Sequence, residues 1–291
     1  MESNNNSFQV SHRNLMDHFW SKYCLLDSKP QLSVVVPAYN EAKRIEKTLN
    51  GLICPNRLFA DKTCEVLIVM DGCTDNTPLI VKEIINHNQN ATALVFPSRL
   101  GKGGAIMQAL KYAKGDVIAF IDADGSVSPE ELHKLVMLTD CYDLIIGSRY
   151  RVDSKIGCKR SFKRTLMSRT FNVFSKFLFW RLHDIKDTQC GVKVFSKRLF
   201  DIIQSDLLIT DFAFDVNLIY SSLSFGFKVK EIGVTWMDKD GSKLSGSFLK
   251  QSFIMLFSLT RLRLYYSRFR KILKWRGFDV STRLFYLWSR T

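Results

Sequence analysis

The chain has 291 residues, 46% of them apolar, and a formal net charge of +14 at pH 7. This length supports one substantial hydrophobic core, so we expect a single α/β domain at 31–245 between an N-terminal segment at 1–30 and a C-terminal segment at 246–291. The seven cysteines are scattered without a C-x-x-C pair and the five histidines form no ligand-spaced pair, which argues against a zinc site or a disulfide framework and favours a reducing compartment.

The chain carries no pattern typical of a secretory signal or a membrane-spanning helix. Residues 1–9 are rich in Asn and Ser and lack an apolar h-region, so we expect the segment 1–30 to be disordered or peripheral. The longest uncharged part of the C-terminal helical segment is Gln251–Thr260, whereas a spanning helix needs about 18 or more apolar residues. Any attachment to a membrane is therefore expected at its surface.

Strand, turn and helix alternate through the first half of the chain. The segment Gln31–Pro37 is β-branched and stops at a proline, as a buried strand does, and apolar residues at helical spacing follow over Glu41–Ile53. The same order repeats downstream, which predicts an α/β fold with a mostly parallel, doubly wound sheet. The further predicted strands cover 65–70, 92–96, the apolar run between 115 and 125, and 143–147.

Polar side chains cluster where the predicted strands end. In an open α/β sheet the carboxyl ends of the strands line the ligand crevice, so we expect these residues to form one site. They are Tyr39, Glu41, Asp71, Asp75, Asp122, Asp124, Ser148 and Arg149.

Two of these residues, Asp122 and Asp124, end the apolar run of the fourth strand. Being two positions apart on an extended segment, they share a face, and both carboxylates can reach one hard cation that stays open to a phosphate. The alternative is that they cap the following helix, a position that Ser128 already fills before Pro129.

The turn Gly101–Gly104 contains Lys102 and precedes a predicted helix. It matches neither a Walker A loop nor G-x-G-x-x-G, because the required glycine and hydroxyl positions differ. A cationic turn rich in backbone amides can face a diphosphate, and the alternative is a tight turn without a ligand.

The net positive charge belongs to two segments. Residues 155–183 contain eight Lys or Arg and residues 243–276 contain nine, with no acid in either, while the rest of the chain holds 25 basic and 28 acidic residues. An apolar, aromatic helix with a basic face suits the surface of an anionic bilayer. The alternatives are a core-packing helix with a solvated basic face, and nucleic-acid binding, which we do not expect because no recognised module accompanies the charge. The helical stripes consist of Phe162, Leu166, Val173, Phe177 and Trp180, and of Phe248, Ser252, Met255, Leu259, Leu262, Tyr266, Phe269 and Leu273.

Several blocks, taken in order, resemble the GT-A glycosyltransferases of family 2. The blocks are Val34–Glu41, Asp71–Asp75, Arg99–Gly103 and Asp122–Gly125. Further blocks are similar to the branch that glucosylates dolichyl phosphate, and the Asp-Thr-Gln-Cys-Gly run at 187–191 is the most specific of them. These blocks are Gly147–Arg149, Lys186–Phe195, Phe214-Asp215, Trp236 and Gly241–Lys243. The resemblance covers residues 31–245 and implies a GT-A domain there, followed by basic amphipathic helices.

The resemblance also implies roles for individual residues. Asp122 lies at the ribose and, with Asp124, at a Mg²⁺ or Mn²⁺ that bridges the diphosphate. Asp124 and Asp215 are the candidate catalytic residues, with Asp215 orienting the sugar, shaping the acceptor site or acting as a base. The uridine nucleotide is expected at Pro37, Tyr39, Glu41, Asp71, Lys102 and Asp122, and the acceptor phosphate at Arg149, Arg164, Ser168 and Gln189.

The implied activity is inverting transfer of glucose from UDP-glucose to dolichyl or another polyprenyl phosphate, for protein N-glycosylation. The implied location is peripheral, on the cytosolic face of the endoplasmic reticulum in a eukaryote or of the plasma membrane in a prokaryote. The chain departs from the family at Ser126, where related mannosyl enzymes carry Gln. The branch that glucosylates dolichyl phosphate usually has a transmembrane helix before its first strand, and we expect none in this sequence. The alternatives are transfer of mannose or another sugar, and a non-enzymatic peripheral protein that binds anionic lipid.

Overall fold

A seven-stranded sheet forms the centre of the fold in the computed structural model, which describes residues 29–53, 63–157, 162–237 and 248–268. Several sequence-based predictions fall elsewhere. The expected N-terminal segment up to residue 28, the Gly241–Lys243 block and the C-terminal end from residue 269 lie outside the described residues.

The strands and helices follow the predicted alternation through β5. The strands are β1 Leu32–Ala38, β2 Cys64–Asp71, β3 Ala91–Phe96, β4 Val117–Ile121, β5 Leu144–Ser148, β6 Lys155–Ile156, β7 Val192–Ser196, β8 Val229–Gly233 and β9 Thr235–Trp236. The helices are α1 Ile45–Ile53, α2 Thr77–Asn86, α3 Lys102–Leu110, α4 Pro129–Val136, α5 Phe162–Leu178, α6 Lys197–Ile203, α7 Phe214–Ser224 and α8 Phe248–Tyr265.

The order of the strands brings two different parts of the chain together at the carboxyl ends of the parallel strands. The order is β3-β2-β1-β4-β7-β5-β8, with parallel pairing except at β7, which runs antiparallel to both β4 and β5. The prediction of a mostly parallel α/β sheet is therefore confirmed. Because β7 is reversed, the residues that precede it arrive where the parallel strands end, which brings 187–191 beside Asp122.

Both faces of the sheet are covered by buried side chains. On β1, Val35 packs with one hydrophobic cluster, whereas its neighbours Val34 and Val36 pack with the other. This alternation follows from the two-residue period of a strand, and it explains why the strands read as continuous apolar runs. The site residues lie at the strand ends, on a rigid and fully packed support.

Helix α5 turns a large part of its apolar surface outward. The side chains of Val173 and Phe177 are 68% and 83% exposed, and Trp180, just beyond the helix, is 80% exposed. The side chains of Asn172 and Ser175, in contrast, are buried. The predicted stripe therefore does not face the core. The helix packs on the core through other apolar side chains, those of Phe171, Phe174 and Leu178.

Helix α8, in contrast, buries much of its predicted apolar stripe. Leu259 and Leu262 are fully buried in the core, and the Ser258 hydroxyl donates a hydrogen bond to Asp211. Burial raises the pKa of Asp211 to about 6. Part of the second basic segment therefore packs on the protein, while Phe253, 63% exposed, remains on its surface.

Within the described residues, no helix is both long enough and apolar enough to cross a bilayer.

Candidate active site

The turn after β3 is held against the end of β2 by Asp71. This buried carboxylate accepts hydrogen bonds from the backbone amides of Leu100 and Gly101, the latter at 3.0 Å. Gly101 has φ of 85°, and a Cβ at this position would lie 2.5 Å from the carbonyl oxygen of Thr210, so only glycine fits this tight approach. The role expected for Asp71, accepting from the uracil N–H, needs a lone pair beyond these two bonds and stays a prediction.

A stacked pair and an ion pair flank the end of β1. The guanidinium carbon of Arg99 lies 3.6 Å from the ring centroid of Tyr39, which fixes one face of that ring. Glu41 receives two hydrogen bonds of 2.7 Å from Arg44. Burial raises the pKa of Glu41. Arg44 opposes this shift, whereas the negative charges of Asp124 and Asp122 add to it. Pro37 lies in β1, two residues before Tyr39.

Lys102 joins two of the candidate site carboxylates. Its ammonium lies 2.9 Å from Asp122 Oδ1 and 3.3 Å from Asp215 Oδ2. Burial alone lowers the pKa of Lys102, but the two carboxylates outweigh it and raise the pKa above its ordinary value. Burial raises the pKa of Asp122, and the nearby Asp124 adds to this shift while Lys102 opposes it.

A second lysine completes this arrangement from the inside. Lys193, the second residue of β7, is fully buried and lies 2.6 Å from Asp215 Oδ1, and it also donates to the Cys190 carbonyl at 2.8 Å. We call Lys193, Asp215, Lys102 and Asp122 the charge row, since cations and anions alternate along it. Lys193 has no role among the sequence-based predictions, although a lysine within the apolar run Val192–Phe195 is itself a signal of a buried charge.

The predicted metal ligands lie together at the end of β4. Asp124 is partly exposed, and its Oδ1 accepts the backbone amide of Ser126 at 2.9 Å. Among the described residues no three His, Cys, Asp or Glu side chains form a complete metal site. Two carboxylates nevertheless fit Mg²⁺ or Mn²⁺ at a nucleotide, because such ions take few protein ligands and complete their shell with phosphate oxygens and water.

A buried ion pair organises the part of the site between the end of β5 and the start of β7. Arg149 donates from Nε and Nη2 to Asp187 at 2.7 and 2.8 Å, and both side chains are buried. Burial alone would lower the pKa of Arg149, but the Asp187 carboxylate outweighs it and raises that pKa. Burial alone would raise the pKa of Asp187, but Arg149 outweighs it and lowers that pKa. Two donors of Arg149 are thus committed to Asp187, so its role as a phosphate ligand stays a prediction. The sequence could not show this pair, because 38 positions separate its members.

Two of the remaining predicted acceptor residues, Ser168 and Gln189, lie near this pair. Ser168, on α5, accepts a hydrogen bond from the Tyr150 hydroxyl at 3.0 Å. The Gln189 amide group donates to the Phe212 carbonyl at 3.3 Å. Asn172, one turn after Ser168, accepts from both the amide and the hydroxyl of Thr188. Arg164 belongs to α5, but its side chain lies outside the described residues.

Comparison with known sequences identifies the family. The family model "Glycosyl transferase family 2" matches residues 33–203. Dolichyl-phosphate beta-glucosyltransferase of Dictyostelium discoideum is 31% identical over 250 residues, which cover 81% of this chain and 74% of that protein. The human protein of the same name is 33% identical over 229 residues, covering 74% and 69%. Glycosyltransferase AglD of Haloferax volcanii is 33% identical over 74% of this chain, which spans only 34% of that protein.

Solved structures with the same fold are those of glucosyl-3-phosphoglycerate synthase from Mycobacterium tuberculosis. Its complex with phosphoglyceric acid has a TM-score of 0.63 at 19% identity, covering 80% of each chain. Its complex with Mn²⁺, UDP-glucose and phosphoglyceric acid has a TM-score of 0.62, also at 19% identity and 80% of each chain. At this identity the likeness establishes the fold. The sequence matches go further: this chain belongs to glycosyl transferase family 2, in the group of the dolichyl-phosphate β-glucosyltransferases.

Proposed function

We propose that the protein transfers glucose from UDP-glucose to dolichyl phosphate, or to another polyprenyl phosphate, and releases UDP. The observation that carries the proposal is the group of charged side chains at the carboxyl ends of the parallel strands. There, Asp122, Asp124 and Lys102 lie beside the Arg149–Asp187 pair. The relatives from Dictyostelium discoideum and human, which match 81% and 74% of this chain, are named dolichyl-phosphate beta-glucosyltransferase. The product is then dolichyl β-D-glucosyl phosphate, a glucose donor for protein N-glycosylation.

The donor half of the proposed site follows the ends of β1, β2 and β4. Tyr39, stacked on Arg99, and Asp71 bound the region assigned to the uridine. Lys102 and the amide-rich turn at 101–104 are assigned to the diphosphate, because a cation and backbone N–H groups at a helix start favour phosphate. Asp122 and Asp124 would hold Mg²⁺ or Mn²⁺, which when bound supplies positive charge to the diphosphate oxygens.

The acceptor half is assigned to α5 and the segment before β7. Arg164, Ser168 and Gln189 are proposed to bind the acceptor phosphate. Arg149 is proposed to join them through those of its N–H groups that do not donate to Asp187. Arginine suits this task because its forked donors match phosphate oxygens.

The reaction itself asks little of a general base. A phosphate monoester has its second pKa near ~6, so at pH 7 the acceptor is largely a dianion and already nucleophilic. One acceptor oxygen attacks the anomeric carbon while the bond from that carbon to the donor diphosphate breaks and its electron pair leaves with UDP. One such in-line displacement inverts the anomeric carbon, which gives a β-linked product from an α-linked donor. Asp215, 1% exposed and paired with two lysines, is assigned to orientation rather than to proton removal.

The acceptor's tail stays in a bilayer, so we assign membrane contact to the outward apolar surface. This surface, which we call the apolar ledge, consists of Leu166, Val173, Phe177, Trp180, Phe253 and Leu256, all exposed on α5, α8 and the turn after α5. Helices α5 and α8 contact each other, and Arg169 and Arg181 are exposed beside the ledge. Aromatic side chains next to arginines suit the headgroup region of an anionic membrane. We place the protein on the cytosolic face of such a membrane.

We expect F177S/W180S to weaken binding to vesicles of phosphatidylcholine containing phosphatidylserine by about a hundredfold. Burying each large apolar side chain contributes about 1.5 kcal/mol or more, and each tenfold change in affinity corresponds to about 1.4 kcal/mol. Vesicle flotation measures the change. L79S is the matched control, because Leu79 is 63% exposed on α2, away from the ledge. Equal binding by the two variants would show that the ledge is not the contact surface.

The proposed activity is tested with purified protein, radiolabelled UDP-glucose and Mn²⁺ or Mg²⁺. Dolichyl phosphate in detergent is expected to become labelled, and the label should leave the lipid on mild acid treatment. Parallel reactions use GDP-mannose as donor, and undecaprenyl phosphate or 3-phosphoglycerate as acceptor. Labelling only from GDP-mannose, or only of 3-phosphoglycerate, would replace the proposed donor or acceptor. No transfer in any reaction would leave the alternative of an anionic-lipid-binding protein.

A further inference from the structure

Lys193 occupies a position where an unpaired charge is costly. It is fully buried within β7, and its ring neighbour is Phe120, whose centroid lies 5.3 Å from the ammonium. A buried ammonium needs close partners to offset its desolvation. Its partners are Asp215 Oδ1 and the Cys190 carbonyl, at 2.6 and 2.8 Å.

Each partner leads directly to a donor-side residue. Asp215 uses its other oxygen, Oδ2, to contact Lys102, which also contacts Asp122. Cys190 precedes Gly191, whose carbonyl accepts the Asp122 amide at 3.0 Å. A Cβ at Gly191 would lie 2.0 Å from Asp122 Oδ2, so this peptide touches the proposed metal ligand. Lys193 therefore fixes Asp122 by two routes, through the charge row and through the backbone.

The balance of charge in the row decides where Lys102 rests. With Lys193 on Oδ1, Asp215 has only Oδ2 for Lys102, which stays shared with Asp122. Without Lys193, Asp215 would hold an uncompensated buried charge and attract Lys102 more strongly. Lys102 would then move away from Asp122 and from the place assigned to the diphosphate.

We propose that Lys193 is a positioning residue, which neutralises one oxygen of Asp215 so that Lys102 remains available to the donor diphosphate. The inference rests on the proposed nucleotide-sugar donor and deepens it. It also gives Asp215 a fixed task as the anion between two lysines, which is distinct from a base that receives a proton from the acceptor.

The test uses K193M, K193R, D215N and the double variant K193M/D215N in the full-length protein. Calorimetry measures the affinity for UDP and for UMP, each with Mn²⁺. K193M is expected to weaken UDP binding about tenfold and UMP binding less than threefold, because Lys102 is assigned to the diphosphate. K193R should restore part of the UDP affinity. K197M is the matched control, since Lys197 pairs with Asp201 on the surface of α6.

The double variant separates positioning from catalysis. Removing both charges restores the balance around Lys102, so kcat of K193M/D215N should exceed that of D215N at least tenfold. If Asp215 were the base, the double variant would be as inactive as D215N. That result, or equal losses for UDP and UMP in K193M, would overturn the inference. If the wild type binds UDP but transfers no sugar, the proposed function fails while the comparison of UDP with UMP still decides the role of Lys193.

Discussion

Replacement of Asp124 by asparagine is expected to lower kcat about a thousandfold, equivalent to about 4 kcal/mol of transition-state stabilisation. Asp124 is partly exposed, and it accepts a hydrogen bond from the Ser126 amide, which an asparagine oxygen can still accept. The fold should therefore survive while one of two proposed metal ligands loses its charge. Initial rates at saturating UDP-glucose and dolichyl phosphate measure the effect.

The control for this substitution is D116N. Asp116 lies just before β4, whereas Asp124 follows its other end, and Asp116 pairs on the surface with Lys29. Its replacement should leave the rate within about twofold, since exposed ion pairs contribute little. In D124N the Mn²⁺ concentration for half-maximal rate should also rise at least tenfold. Full turnover in D124N at an unchanged Mn²⁺ requirement would remove Asp124 from the metal site.

Replacement of Asp187 by alanine is expected to lower the free energy of unfolding by about 3–5 kcal/mol, because it leaves the buried Arg149 guanidinium without its partner. Asp187 accepts four hydrogen bonds, three from Arg149 and one from the Gln189 amide. Its own amide is held by Glu231 at 2.7 Å. One carboxylate thus ties β5 to the segment that precedes β7. Urea unfolding followed by circular dichroism measures the loss.

A double variant distinguishes the missing partner from the missing side chain. R149M/D187L removes both charges and should be more stable than D187A, since no unpaired guanidinium remains buried. A double variant less stable than D187A would contradict this account. Charge reversal at Arg149 is a poor test of acceptor binding, because it sets two carboxylates face to face. Reversal at Arg164 is the better test, and it should abolish transfer while UDP binding persists.

The sheet was largely predictable because its strands are buried on both faces and read as apolar runs that end in polar residues. The position of β7 was not, since alternation of strand and helix suggests parallel pairing and says nothing of a reversed strand between β4 and β5. Ion pairs between residues far apart in the chain were not predicted either. Examples are the pairs of Arg149 with Asp187 and of Lys193 with Asp215. The two helical stripes looked alike in the sequence. Only the folded chain shows that α8 buries Leu259 while α5 exposes Phe177.

The reversed strand β7 also has a consequence for how the protein can be made. Until residues 192–196 leave the ribosome, the apolar strand β4 has one open side, and β5 has no link to the first four strands. An open, apolar strand edge invites pairing with other chains. A shortened protein ending near residue 150 would therefore aggregate rather than yield a small nucleotide-binding module, and the two halves must reach the native state as one cooperative unit.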